Sequence, residues 1–251
     1  MTGKSYCHRG GETPLLGETI PENFARIAQQ FPDNEAIVSI PQNRRLTYRQ
    51  LSEDTDRMAK GLLALGFGKG DRLGVWSTNN IEWLLLQLAA ARIGVVLVNI
   101  NPAYRPRELA YALQRSEVEC LVTIPSFRTS DYVSMLVELV PELKTAKPGE
   151  FRNDELPFLR RVILYDPAVP ENTRRPYPGF DTWGELLAGG ERVKQEPLEM
   201  ATAELDIDDP INIQYTSGTT GFPKAVVLTH HNILNNAWFT AMAMHFTDQD
   251  R

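Results

Sequence analysis

Cysteine is nearly missing. Cys7 and Cys120 are the only two in 251 residues, too few and too far apart to form a disulfide framework. Reduced thiols are the expectation, and with them an intracellular setting. Histidine is scarce too, with four in the chain. The adjacent pair His230-His231 has no Cys, Asp or Glu at a ligand spacing, so no metal site is expected there. Helix entry, with one ring packed under the 216–224 loop, is the expected role. A basic excess is absent: 26 Lys and Arg stand against 32 Asp and Glu, a net charge of −6, which argues against a nucleic-acid-binding surface.

Nor is there a long apolar run free of charge. The nearest approach is 81–100, "IEWLLLQLAAARIGVVLVNI", where Glu82, Gln87 and Arg92 interrupt the run and Gly94 splits it. A central Arg costs about 2.5–3.5 kcal/mol on insertion scales, so this stretch is expected to be a buried helix followed by a buried strand. The N-terminal "MTGKSYCHRGGETPLLGETI" has no apolar stretch of signal-peptide length. Glu12 and Glu18 break any presequence pattern, so the cytoplasm is the expected location, with the mitochondrial matrix left open. Internal repeats and low-complexity tracts are also lacking.

What is present is an ordinary globular composition, 42% apolar and 23% charged, enough to bury a substantial core at this length. Apolar periodicity predicts alternating elements. Helices are expected over 21–31, 47–65, 80–93, 106–114, 132–140, 182–188 and 231–244, and strands over 36–40, 72–76, 95–98, 120–124, 161–165, 211–215 and 225–228. Thr47 with Gln50 has the spacing of a capping box, and Gly66 is placed to stop the helix. Residues 141–157 read as a surface excursion, 167–179 as an irregular loop and 191–209 as an acidic, weakly patterned surface. The alternation implies an α/β fold with a mixed, largely parallel sheet covered by helices on both faces. Trp76, Trp83 and Tyr104 read as packing aromatics, and Arg105 and Arg107 as a solvated helix start.

The most informative segment is 213–230, "IQYTSGTTGFPKAVVLTH". Between two predicted strands it places Thr216, Ser217, Gly218, Thr219, Thr220 and Gly221, then Phe222, Pro223 and Lys224. Glycines let a ligand approach the backbone. Successive N–H groups in such a turn make an anion-binding concavity. The hydroxyls add donors and the lysine adds a cation, so phosphate is the ligand that uses them all. The spacing is not that of a P-loop, G-x-x-x-x-G-K-[ST], and the order is strand–loop–strand. A polar hairpin facing water is the competing reading, outweighed by the run of small donors ahead of Pro223 and Lys224.

The T-S-G-T-T-G-x-P-K core, Thr216 to Lys224, resembles the signature of the adenylate-forming enzymes: acyl-CoA synthetases, luciferases and peptide-synthetase adenylation domains. Residues 69–113, "KGDRLGVWSTNNIEWLLLQLAAARIGVVLVNINPAYRPRELAYAL", with "LTYRQL" and "DPINIQYTSGTTG", resemble the acyl-CoA synthetase branch, particularly its medium-chain fatty-acid members. The likeness runs from about Pro14 to Phe246. It implies that residues 1–20 are an N-terminal arm and that 21–251 are an incomplete N-terminal adenylation domain. Thr216, Ser217, Gly218, Thr219, Thr220 and Gly221 are then expected to hold ATP phosphates. Phe222 and Pro223 complete that loop, and Lys224 offsets charge on departing pyrophosphate. ATP, Mg²⁺ beside the phosphates, a fatty acid and coenzyme A are the implied reactants.

Two departures stand out. Ala225 occupies a position where the family usually has glycine. The family's later motifs, for adenine, ribose, magnesium and the adenylation lysine, have no counterpart. The chain is therefore expected to be the N-terminal portion of a longer acid–thiol ligase, inactive by itself. No catalytic residue is assigned within it. A non-catalytic phosphate-binding or interaction module is the alternative. Charge-assisted hydrogen bonds of about 1.5–3 kcal/mol each, set against association costs of at least about 4 kcal/mol, imply ATP binding in roughly the millimolar range.

Overall fold

The computed structural model of the chain describes residues 13–217, 223–247 and 250. Thr19 opens α1 (Ile20–Gln30) through a reciprocal capping box with Glu22, and Pro21 sits in its first turn. An antiparallel hairpin follows, β1 (Glu35–Ser39) and β2 (Arg44–Thr47). Thr47 and Gln50 form the capping box of α2 (Tyr48–Ala64), and Gly66 takes φ 84° where the chain leaves the helix.

The remaining elements build the sheet. They are β3 (Arg72–Trp76), α3 (Ile81–Arg92), β4 (Val96–Ile100), α4 (Pro106–Arg115), β5 (Cys120–Thr123), the short hairpin β6 (Ser126–Phe127) and β7 (Ser130–Asp131), α5 (Tyr132–Leu139) and β8 (Arg161–Leu164). After them come β9 (Phe180–Thr182), α6 (Trp183–Gly190), α7 (Gln195–Ala203), β10 (Pro210–Thr216), β11 (Lys224–Thr229) and α8 (His230–Ala243). Seven strands run in the order β11-β10-β4-β3-β5-β8-β9, all neighbours parallel except the β10–β11 pair.

From β3 the chain moves outward to β4, then returns across β3 to β5. Right-handed crossovers in opposite directions place α3 and α4 on opposite faces. Helices α1, α2, α3, α6 and α7 pack together, and α4 packs with α5. The 81–100 stretch divides as its composition suggests, into α3 and the buried strand β4, and no described helix is long and apolar enough to cross a membrane.

Several regions differ from their sequence-based description, among them β2 and the β6–β7 hairpin, which the apolar periodicity does not predict. Residues 195–203 form α7 instead of unpatterned surface: Leu198 is fully buried, and the Thr202 hydroxyl donates to the Arg92 carbonyl. The excursion 141–157 drives Leu143, Phe151 and Leu156 into the core. Phe180–Thr182 forms the edge strand β9 and supplies the cap of α6. The opposite edge is the reverse of buried. Along β11 and α8, Val226, Val227, Trp238, Phe239 and Met242 are exposed.

Two contacts fix the helical layer. Glu82, 1% exposed, accepts from Arg44 at 2.5 Å and from Gln42 at 2.7 Å, which fastens the β1–β2 hairpin to the start of α3. Gly61 and Gly190 let α2 and α6 cross closely: a Cβ on Gly61 would lie 2.7 Å from the Leu186 carbonyl oxygen. Gly61→Ala gains about 1 kcal/mol of helix propensity but has to push the backbones of α2 and α6 away from each other. A net loss of roughly 1–3 kcal/mol is expected from overpacking, measurable by urea unfolding.

The segment before α1 is bound to α8. The Asn235 carboxamide bonds both the N–H and the C=O of Leu16, and the Ile20 N–H donates to His230 Nδ1 at 3.2 Å. An accepting Nδ1 puts the neutral ring's proton on Nε2, which is buried without a partner among the described residues. Burial pushes the imidazole pKa down from 6.5 to about 4, against the smaller upward pull of Asp209 and Glu22. The folded state thus binds fewer protons than the unfolded state between these values. Stability is full above pH 6.5 and falls as pH drops toward 4, by about 3 kcal/mol. Urea unfolding over that range should show the loss. His230→Gln, which keeps an acceptor and removes the titration, should flatten it.

Candidate functional site

Open parallel sheets bind ligands at the carboxyl ends of their strands, in the crevice where the winding reverses. That crevice lies here between β3 and β5, and the protein fills it. Trp76, the last residue of β3, stacks on Tyr132 at the start of α5, with ring centroids 3.4 Å apart and planes 3° from parallel. Both rings are fully buried. The Trp76 indole N–H donates to the Asn101 carbonyl, and the Tyr132 hydroxyl donates to the Pro102 carbonyl. The plug therefore pins the chain as it leaves β4.

Space opens one strand along. A cleft of about 450 Å³ at the ends of β4 and β10 is lined by Asn79, Trp83, Asn99, Asn101, Gln214 and Tyr215, among others. Parallel pairing puts Gln214 beside Asn99. The Asn99 amide N–H donates to Asn212 at 3.4 Å, while its Oδ1 is buried with no partner among the described residues. No lining residue is charged. The cleft therefore offers carboxamides and two rings, a surface for neutral polar groups and apolar planes.

The glycine–threonine segment meets this cleft at Tyr215. β10 and β11 are a strand–loop–strand pair, as read from the sequence, and close on Thr216 opposite Lys224. Thr216, Ser217, Pro223 and Lys224 lie within the described residues; Gly218, Thr219, Thr220, Gly221 and Phe222 lie outside them. Lys224 is exposed, and no carboxylate among the described residues pairs with it. Ala225 faces Tyr215 in the ladder and is absent from the residues with positive φ. Its methyl group is thus accommodated in extended backbone.

Helix α4 stands behind the loop's two roots. The Tyr215 hydroxyl donates to the Ala112 carbonyl at 2.9 Å and lies 2.7 Å from Ser116 Oγ. The Tyr111 hydroxyl donates to the Pro223 carbonyl at 3.3 Å. Burial raises the Tyr215 pKa above its usual 10, so the phenol remains a donor at neutral pH. Tyr104, half-buried before α4, is raised likewise, by burial first and Glu108 second.

Of the residues weighed in the sequence, Trp76 is core, Trp83 lines the cleft, and Arg105 and Arg107 are exposed at the start of α4. His230 is packed under the N-terminal segment. Gln214 and Tyr111 had no sequence signal, because only the pairing of β10 with β4 and the docking of α4 bring them to the site. No cluster of metal-ligating side chains occurs among the described residues, and the cleft carries no carboxylate.

The family model for AMP-binding enzymes matches residues 24–251. The chain is 42% identical over 236 residues to the mitochondrial medium-chain acyl-CoA ligase of Rattus norvegicus, covering 94% of this chain and 37% of that protein. It is 38% identical over 242 residues to the counterpart in Danio rerio, covering 96% and 39%. It thus spans well under half the length of these relatives. Among solved structures, a long-chain-fatty-acid-CoA ligase from Archaeoglobus fulgidus superposes with a TM-score of 0.70 at 25% identity, over 98% of this chain and 44% of the other. A fatty acyl CoA synthetase of Mycobacterium tuberculosis gives 0.62 at 23%, over 84% and 34%, a likeness of fold. The family model covers most of the molecule, and the fold agrees with that of solved ligases: the chain belongs to the AMP-binding enzyme family.

Proposed function

We propose that the chain is the nucleotide-phosphate-binding portion of an ATP-dependent fatty acid–CoA ligase, with residues 21–251 forming an incomplete N-terminal adenylation domain. One observation carries this reading: Tyr215 belongs both to the uncharged cleft and to the root of the loop closed by Thr216 and Lys224. A triphosphate on the loop would thus lie beside that cleft. The relatives' names favour a medium-chain acid and leave the mitochondrial matrix open beside the cytoplasm.

In the complete enzyme a carboxylate oxygen attacks the α-phosphorus, and the bond to the bridging β-oxygen breaks. Pyrophosphate leaves with that electron pair. The coenzyme A thiol then attacks the acyl carbon, and AMP departs. Residues of this chain serve the first step. Thr216, Ser217, Gly218, Thr219, Thr220 and Gly221 donate to phosphate oxygens, Phe222 and Pro223 shape the turn, and Lys224 offsets the growing charge on pyrophosphate. Magnesium, bound to the phosphate oxygens of the nucleotide, would offset part of their charge.

Equilibrium dialysis with MgATP tests this directly. The chain should bind with Kd in about the millimolar range, Lys224→Ala should weaken it roughly tenfold, and no acid-dependent pyrophosphate exchange should occur. Absence of saturable binding, or equal affinity of Lys224→Ala, would sink the reading.

A further inference from the structure

The loop's two roots are bonded to one helix. At the entrance, Tyr215 donates to the Ala112 carbonyl and meets Ser116 Oγ, which belongs to the residue that ends α4. At the exit, Tyr111 donates to the Pro223 carbonyl, the last backbone acceptor before Lys224. Tyr111 and Ala112 are consecutive, so a single turn of α4 serves both roots.

That turn is itself immobilised. Leu109, Ala112 and Leu113 are fully or almost fully buried. The segment feeding α4 is pinned by Trp76 at the Asn101 carbonyl and by Tyr132 at the Pro102 carbonyl. In the last turn of the helix, Gln114 donates to the Glu155 carbonyl. The β-ladder alone fixes the loop's roots against each other only within the sheet, and β11 is an edge strand with most of its residues exposed. Without α4 the exit root would be free to swing on that edge.

We propose that Tyr111 is a positioning residue for the phosphate loop: its hydroxyl fixes the Pro223 carbonyl and thereby the place from which Lys224 extends. The inference rests on the nucleotide reading for its ligand, but the clamp is a property of the free protein. Tyr111→Phe removes one oxygen. The carbonyl of Pro223, a half-buried residue, can then turn to water. Tyr215→Phe differs, because it deprives the buried Ser116 hydroxyl, 3% exposed, of its partner.

The test compares the parent chain, Tyr111→Phe and Tyr215→Phe in three readouts: Tm, amide hydrogen exchange across residues 216–224 without ligand, and affinity for MgATP. Tyr111→Phe should leave Tm unchanged, speed exchange about fivefold and weaken MgATP binding about fivefold, the scale of one hydrogen bond. Tyr215→Phe should also lower Tm. If the parent binds MgATP and Tyr111→Phe changes neither exchange nor affinity, the clamp is wrong and the nucleotide reading stands. If the parent binds no MgATP but Tyr111→Phe still speeds exchange, the nucleotide reading falls and the clamp stands. A fall in Tm that accounts for the faster exchange would reduce Tyr111 to a structural residue and overturn the proposal.

Discussion

The Trp76–Tyr132 stack sets the geometry of everything at the carboxyl edge. Filling the crevice between β3 and β5 with two buried rings removes the place where a sheet of this winding ordinarily receives its ligand. The hydrogen-bonding ends of the same rings then hold the carbonyls of Asn101 and Pro102. The turn that leaves β4 is therefore rigid, α4 starts in a fixed direction, and the open space is displaced to β4 and β10. There it meets the hairpin whose roots α4 also holds. One aromatic pair thus links core packing to the site through backbone acceptors, with no charged group involved.

Charge is distributed accordingly. The cleft is lined by carboxamides and rings, and the cation lies beside it on Lys224, exposed and unpaired among the described residues. The buried carboxylate of Glu82, paired with Arg44, serves to attach the β1–β2 hairpin to α3. Low charge in the cleft preserves the strength of whatever dipoles face a ligand there. A cation that is not neutralised by a neighbour keeps its full attraction for phosphate.

Much of this was legible in the sequence where the signal is local. The capping pair Thr47 and Gln50, the stop at Gly66 and the division of 81–100 into helix and strand all follow from short-range chemistry, and the structure has them. So does the strand–loop–strand hairpin that ends in Lys224. What escaped was set by distant partners. α7 has one buried apolar residue, Leu198, and is held in place by the Thr202 hydroxyl on the Arg92 carbonyl from across the fold. β9 is three residues long and exists because β8 pairs with it. Asn99 and Gln214 become neighbours only in the β4–β10 ladder, and Tyr111 reads as an ordinary helical residue until Pro223 is placed against it.

On the proposed function, the polyphosphate would sit at the carboxyl edge, between the hairpin roots and the amide-lined cleft. A titration of the ¹⁵N-labelled chain with MgATP, followed residue by residue, tests that placement most directly. Saturable amide shifts are predicted at Thr216, Ser217 and Lys224, with smaller ones at Asn99 and Asn101, and none at Lys69, Arg72 or Gly94 on the opposite edge. Shifts confined to that opposite edge, or no saturable shifts at all, would contradict it.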